Sequence, residues 1–263
     1  MSITDQMTVI KALSAFALMM MLNACTEKNA SGGIGGSGFQ VELTSDTSAL
    51  TLEDEGGTPL SITKAEVYVR DIELDLPDDL SCEDLTGTLT EATCSSDGKV
   101  VISGPRVINL ITGTSRPSLS GVVIPAGLYK RVDIRLDDGK VNEGLIMSGD
   151  PLNDRTLVVE ADLDTLEVTT RLSLMLKFNE DLRIEDPEGV YVEDGEALLT
   201  QLNVAQWFEG IDLASCLNDR EVERDDGVLI IDDDEQIEGE CAGIENMIKR
   251  HIKESGQLDK RAR

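Results

Sequence analysis

Apolar residues recur at every second position along much of the chain. This period of two is clearest in residues 39–44, 65–76, 132–136 and 172–178. Alternation of this kind places one side of a strand on the core and the other toward water. It predicts half-buried strands of an antiparallel sheet.

Turn residues separate the alternating segments. They comprise the pairs Asp97-Gly98, Asp138-Gly139, Asp194-Gly195 and Asp226-Gly227 and the turn Pro125-Ala126-Gly127. Within residues 65–76 the apolar phase slips at Arg70-Asp71, which predicts a β-bulge. Many short strands with regular turns predict a mainly β chain folded as an antiparallel β-sandwich. We expect Asp138-Gly139 to form a hairpin turn.

The spacing changes to that of a helix near the C-terminus. Ile244, Met247, Ile248 and Ile252 recur at helical intervals in GIENMIKRHIKES, with basic residues late in the segment, where the helix dipole favours them. The sequence predicts one C-terminal amphipathic helix that packs on the domain. The alternative is a helix that lies on a membrane surface.

A different apolar pattern occupies the N-terminus. Residues 12–22 form a run that is apolar except for Ser14 and too short to cross a bilayer of about 30 Å. The motif LNAC follows, and a Leu three positions before a Cys with a small residue between is typical of bacterial lipoprotein signals. We predict a signal peptide over 1–24 and lipid on Cys25, with Met7 as an alternative start. The competing interpretation is a core helix followed by a chance cysteine.

The composition of residues 25–38 predicts a flexible tether. The stretch TEKNASGGIGGSG is rich in Gly and Ser and offers almost nothing to bury. Such a segment reaches about 20 Å on average, which lets a folded domain stand clear of lipid headgroups. Two or three acyl chains would anchor it stably. Thr26, rather than Asp, follows the cysteine, which favours the outer membrane of a Gram-negative bacterium.

The remaining chain is divided into two parts. We predict a β-sandwich domain over 39–210 and, over 211–263, a disulfide-closed acidic segment with the C-terminal helix packed on the sandwich. The net charge is -28, and Lys and Arg do not cluster outside the final residues. Nucleic acid is therefore excluded as a partner, because it is bound through clustered cations.

Four cysteines remain once Cys25 carries lipid. An even number in an oxidising compartment predicts disulfides, for which three pairings are possible. We predict the local pairs Cys82–Cys94 and Cys216–Cys241, because each would close a polar loop that has little core of its own. A metal site built from the four cysteines is the alternative, but no C-x-x-C spacing is present.

Candidate catalytic residues are scarce. His251 is the single histidine and belongs to the predicted helix, where we expect it to face solvent. Histidine-based nucleophilic catalysis and zinc chemistry therefore lack their side chains. Carboxylates are so numerous that a glycosidase-like pair cannot be identified by counting.

Two further candidates concern binding. Calcium prefers oxygen ligands, and we regard it as the one possible cofactor. Its candidate ligands are Asp232, Asp233, Asp234, Glu235, Glu238 and Glu240, or else the Asp137-Asp138-Gly139 segment, although Ile237 replaces the glycine of an EF-hand loop. Trp207 and Phe208 either close one end of the core or form a small exposed recognition patch.

Four segments together resemble a family of bacterial lipoprotein domains of unknown function. They are ITKAEVYVRDIEL (62–74), RVINLITG (106–113), IPAGLYKRVDIRLDD (124–138) and LSLMLKFNEDLRI (172–184). The resemblance covers residues 39–208 and rests chiefly on IPAGLY. It implies a prealbumin-like sandwich of the carbohydrate-binding and Ig-like type. The two cysteine-bracketed segments depart from that pattern.

These patterns favour one function over two alternatives. We expect a lipid-anchored cell-envelope protein that acts as a non-enzymatic binding or structural module, with an envelope protein or a glycan as its unidentified partner. The first alternative is a calcium-binding adhesion-type domain. The second is an extracytoplasmic hydrolase that uses carboxylates.

Overall fold

Strands supply most of the regular structure. The computed structural model describes residues 36–44, 50–85, 87–165, 169–178, 180–218, 224–225, 227–234 and 239–262. The strands are β1 (Gly36–Thr44), β2 (Thr51–Glu53), β3 (Pro59–Asp75), β4 (Thr93–Cys94), β5 (Lys99–Asn109), β6 (Thr114–Arg116), β7 (Ile124–Pro125), β8 (Gly127–Leu136), β9 (Leu157–Asp164), β10 (Thr169–Leu176), β11 (Leu182–Val192), β12 (Glu196–Asn203), β13 (Arg224–Asp225), β14 (Val228–Asp232) and β15 (Gly256–Ala262). The helices are α1 (Leu213–Asn218) and α2 (Ile244–Glu254), with 3-10 turns at Val141–Glu143, Val204–Phe208 and Gly239–Cys241.

These strands form two open sheets. The small sheet has the order β15-β12-β1-β7. The large sheet has the order β11-β8-β3-β9-β10-β14-β13, with β2 and β5 paired to β3 and with β4 and β6 paired to β5. One hydrophobic core takes side chains from both, including Phe39 and Leu198 of the small sheet and Ile72 and Leu174 of the large one. The predicted mainly β sandwich is confirmed.

Strand β3 is the longest and meets the most neighbours. Its first part pairs with β9, its second part with β8, and its opposite edge with β5. The register shifts between Val69 and Asp71, which confirms the bulge predicted at Arg70-Asp71. A second shift, between Ile62 and Lys64, was not predicted. Because each bulge adds one residue, the buried face of β3 stays apolar along its length.

Two strand pairs are parallel rather than antiparallel. β1 runs parallel to β12, with Gly38 opposite Ala197, and β10 runs parallel to β14, with Leu172 opposite Leu229. The wholly antiparallel arrangement expected from the alternation is therefore wrong at these two places. Alternation reports which face of a strand is buried, and it carries no information about the direction of its partner.

The segment after β8 is a long folded loop and not the expected hairpin turn. Residues 137–156 lie over the outer face of β3, where Ile146 and Leu152 pack with Tyr68 in a second, smaller apolar cluster. Tyr68 donates its hydroxyl hydrogen to Glu143 of this loop. Burial, together with that carboxylate, raises the pKa of Tyr68, so the phenol stays protonated.

The predicted C-terminal helix is present as α2. It buries Ile244, Ile248 and Ile252, while Met247 stays partly exposed. The segment beyond residue 210 also supplies β13 and β14 to the large sheet and β15 to the small one. The described residues form one compact unit. Among the described residues, no helix is both long and apolar enough to cross a membrane.

Two buried threonines of this core differ in whether their hydroxyls form hydrogen bonds, and the difference can be tested by substitution. Thr200 is fully buried on β12, and its hydroxyl has no hydrogen-bond partner among the residues that the structure describes. Replacing it with the isosteric valine removes an unsatisfied polar atom, so we expect Thr200→Val to raise the free energy of unfolding by about 1 kcal/mol. Chemical denaturation monitored by the fluorescence of Trp207 measures the change.

Thr156 serves as the control, because it is equally buried but satisfied. Its hydroxyl donates to Asp138 at 2.7 Å and accepts from the backbone N–H of Phe178 at 3.0 Å. Thr156→Val leaves both partners unpaired, and we expect a loss of about 2 kcal/mol. Equal losses in the two variants would show that the Thr200 hydroxyl is satisfied after all.

Candidate functional site

The four cysteines of the folded unit form the two predicted pairs. Cys82 and Cys94 have their Cα atoms 5.6 Å apart, and Cys216 and Cys241 have theirs 5.7 Å apart. The first pair ties the loop after β3 to β4, and the second ties α1 to the turn before α2. Both separations are ordinary for disulfides, so the local pairing is confirmed. Cys25 lies outside the described residues.

The two aromatic candidates belong to the core. Trp207 and Phe208 have 0% and 1% of their surface exposed, so the exposed recognition patch is wrong and the core interpretation holds. Trp207 donates its indole N–H to the hydroxyl of Ser255, at 2.9 Å. That bond pairs the one polar atom of the indole, so the ring is buried without the free-energy cost of an unpaired donor. His251 is half-buried, rather than solvent-facing as expected, with Nδ1 3.4 Å from the Trp207 carbonyl oxygen.

The acidic run at the end of β14 is engaged by cations. Arg155 donates Nε to Asp232 at 2.8 Å and Nη2 to the other oxygen of the same carboxylate at 2.7 Å. Asp234 lies 2.6 Å from Arg155 Nη1 and 2.8 Å from Lys177 Nζ. The hydrogen bond from Lys177 lowers the pKa of Asp234, which keeps it ionised.

Asp233 completes this arrangement. It accepts from Lys249 Nζ of α2 at 2.8 Å and from the backbone N–H of Lys177 at 2.6 Å. Loop 137–156, β10, β14 and α2 therefore meet through charged groups at one place. We call this cluster the C-terminal junction, which consists of Arg155, Lys177, Asp232, Asp233, Asp234 and Lys249.

The first three candidate calcium ligands belong to the C-terminal junction and already pair with cations. Asp232, Asp233 and Asp234 each face at least one cation, and a metal would have to displace these bonds. Glu235 and Glu238 lie outside the described residues. Within the part of the chain that the structure describes, no group of three His, Cys, Asp or Glu side chains is arranged to hold a metal ion.

A second ionic network covers the outer side of the large sheet. Asp133, 5% exposed, accepts from Arg183 Nε at 3.0 Å, from Arg131 Nε at 3.1 Å and from Lys99 Nζ at 3.4 Å. Glu73 lies beside it on β3 and pairs with Lys99 at 2.9 Å. We call this the charged face, which consists of Glu73, Lys99, Arg131, Asp133, Arg135 and Arg183.

The ionisation of Asp133 follows from this setting. Burial opposes the charge, but the hydrogen bonds from Arg131 and Arg183 outweigh burial and lower the pKa of the carboxyl. The same carboxylate raises the pKa of Arg131. The charged face thus links the four strands β3, β5, β8 and β11. It holds Asp133 as an anion, which suits this carboxylate to structure more than to proton transfer.

Two neighbouring hollows share Phe178 and Glu180 but differ in charge. The acidic hollow, of about 250 Å³, is lined by those residues with Arg70, Leu136, Asp137, Asp138 and Asp181. The basic hollow, of about 300 Å³, is lined by Lys177, Phe178, Glu180, Asn246, Lys249, Arg250 and Lys253.

Carboxylates in the acidic hollow already have partners. Asp138 accepts from Thr156 at 2.7 Å, Asp137 from Lys140 at 3.0 Å, and Glu180 pairs with Lys253 at 2.9 Å. The hydrogen bond from Lys253 lowers the pKa of Glu180. A glycosidase acid needs the opposite shift, since it must be protonated at neutral pH.

The basic hollow was not predicted from the sequence, although part of its pattern was visible. Asn246, Lys249, Arg250 and Lys253 follow i, i+3, i+4 and i+7 spacing, which places them on one helix face. Nothing in the sequence linked Lys177 to that face, because it approaches α2 from the end of β10 in the folded chain.

We expect Asp133→Asn to lower the free energy of unfolding by about 2 kcal/mol at pH 7, because three cations lose a buried partner. The pKa of Asp133 is lower in the folded state than in the unfolded chain. Its stabilisation is therefore complete above an unfolded value of about 4 and is lost as the pH falls through the folded pKa. Urea unfolding of both proteins between acidic and neutral pH should show the difference shrinking on the acid side.

Asp78→Asn is the matched control for that experiment. Asp78 pairs with Lys130 at 3.1 Å, but its side chain is 86% exposed. We expect a change below about 0.5 kcal/mol, as is usual for exposed pairs. A loss in Asp133→Asn no larger than this would contradict the role given to the charged face.

We expect calcium at about 1 mM to leave the thermal unfolding midpoint no higher than the same concentration of magnesium does. Extracellular calcium modules bind in the 0.1 to 1 mM range, roughly, and a specific site would separate the two ions. The physical reason is that Arg155, Lys177 and Lys249 already occupy Asp232, Asp233 and Asp234. A rise in the midpoint with calcium alone would restore the calcium hypothesis.

Comparisons with known proteins supply no relative for the chain. No protein-family model, curated protein or solved structure matches it. The resemblance to bacterial lipoprotein domains therefore stays a prediction, as does the prealbumin-like label for the sandwich.

Proposed function

We propose that this chain is a lipid-anchored protein of the bacterial cell envelope whose β-sandwich is a non-enzymatic binding or structural module. Anchoring is supported by the apolar run over 12–22 and by the LNAC motif that ends at Cys25. The Gly/Ser-rich tether then leads to a folded unit that includes two disulfides, a chemistry typical of compartments outside the cytoplasm.

The interior of the sandwich is filled with side chains, and this supports the non-enzymatic part of the proposal. The apolar cavity bordered by Val67, Phe178, Leu202 and Ile252 measures about 20 Å³. Ligand sites usually enclose about 300 to 1,000 Å³, so this cavity is too small to hold a substrate. A partner would therefore meet the outer surface, where the charged side chains are.

The carboxylate-dependent hydrolase is the competing proposal. It needs two converging carboxyl groups, one of them with a raised pKa. In the acidic hollow Asp137 and Asp138 accept hydrogen bonds from other side chains, and Lys253 lowers the pKa of Glu180. These partners favour the binding or structural module, with an envelope protein or a glycan as its partner.

Labelling with radioactive palmitate tests the anchoring. We expect the full chain, expressed in a Gram-negative bacterium, to incorporate label and to fractionate with the outer membrane. Cys25→Ala removes the thiol that would carry the lipid, so this variant should incorporate no label and leave the membrane fraction.

Thr26→Ala is the matched control, since it changes the neighbouring residue and leaves the thiol in place. We expect it to be labelled like the parent protein. Label retained in Cys25→Ala, or a parent protein found free of membranes, would contradict the proposal.

A further inference from the structure

The basic hollow is unusual for a chain with a net charge of -28. Four cationic side chains line it, namely Lys177, Lys249, Arg250 and Lys253, against one carboxylate, Glu180. The acidic hollow on the other side of Phe178 has the opposite balance, with Asp137, Asp138 and Asp181. An anion is therefore attracted to the basic hollow and repelled by the acidic one.

The fold of α2 explains how the cations come together. Ile244, Ile248 and Ile252 fix one helix face in the core. The opposite face must then present Lys249, Arg250 and Lys253 outward, close to where β10 ends at Leu176 and delivers Lys177. The position of the cations is thus set by apolar burial and does not depend on a ligand.

Each of the three lysines forms an ion pair that uses only some of its N–H donors. Lys177 lies 2.8 Å from Asp234, and Lys253 lies 2.9 Å from Glu180. Lys249 is shared between Asp233, at 2.8 Å, and the Lys177 carbonyl oxygen, at 3.3 Å. An ammonium group has three N–H donors, so each lysine keeps at least one for a further acceptor.

Arg250 differs from these lysines. Within the described part of the chain it forms no ion pair, and it is exposed at the border of the hollow. A guanidinium presents parallel N–H donors that match two oxygens of a phosphate. Asn246, one turn earlier on the helix, adds an amide beside it.

We propose that the basic hollow binds a phosphate group, with Arg250 as the bidentate donor and Lys177, Lys249 and Lys253 as the surrounding charges. A volume of about 300 Å³ is at the lower end for small-molecule sites, which suits a phosphate with a small substituent and not a large ligand. Lys177, Lys249 and Lys253 are already paired with Asp234, Asp233 and Glu180, so Arg250 supplies the excess positive charge that an anion would meet. This inference rests on the binding part of the proposed function and is independent of lipid anchoring.

Calorimetric titration of the full chain, purified in detergent at low ionic strength, tests the site. The probes are inorganic phosphate, glucose 6-phosphate and glycerophosphoglycerol, which is the deacylated headgroup of phosphatidylglycerol, with glucose and glycerol as neutral controls. We expect saturable binding of at least one phosphate probe at or below about 10 mM, weakened by added salt. Free phosphate, a soluble ester and a lipid headgroup are distinguished by which probe binds most tightly.

Two variants decide whether the binding belongs to this hollow. Arg250→Gln should weaken the tightest probe at least about tenfold, because a charge-assisted bidentate contact is lost. Lys130→Gln removes another exposed cation, on β8, and should leave the affinity unchanged within about twofold. Unchanged thermal unfolding midpoints show that both variants are folded.

Three outcomes would overturn the proposal. These are no binding of any phosphate probe at about 10 mM, equal binding of the neutral controls, or equal losses in the two variants. None of them bears on palmitate labelling at Cys25, so a failed phosphate site and a failed anchoring proposal give different results.

Discussion

Strand β3 must keep one apolar face on the core through 17 residues while it pairs with different neighbours along its two edges. Strict alternation could not do this, because the apolar positions of β3 change phase twice. The bulges near Thr63 and Arg70 absorb the extra residues, so that Leu60, Val67 and Leu74 all point inward. Without the bulge at Arg70 alone, Glu73 would turn into the core. The registers of β5, β8 and β9, and with them the charged face, depend on this one strand.

Local patterns in the sequence were sufficient for local structure. The bulge at Arg70 was visible because two apolar series are out of phase there, and α2 because its isoleucines recur at helical intervals. Both disulfides join residues fewer than about 30 positions apart, where closing a polar loop gives a reason for the pairing. The bulge near Thr63 was missed because Ala65 marks the new phase only weakly.

Contacts between distant parts of the chain could not be predicted. Arg155 and Asp232 are 77 positions apart, and a carboxylate in an acidic run gives no indication of which cation it will meet. The same run therefore suggested calcium ligands, whereas three of its members pair with arginine and lysine. Trp207 left two interpretations open for a similar reason, since its partner Ser255 follows 48 positions later.

The small sheet has a consequence for the order in which the chain becomes structured. β1 is the first described strand, yet it is held by β12, where Gly38 meets Ala197 about 160 residues later. A ribosome adding about 5 to 20 residues per second needs on the order of ten seconds to supply that partner. During this interval β1 has no long strand to join, and the last edge strand, β15, comes later still. Completion of the sandwich is therefore delayed until nearly the whole polypeptide exists, which keeps the nascent chain open for longer than a fold built from neighbouring hairpins would.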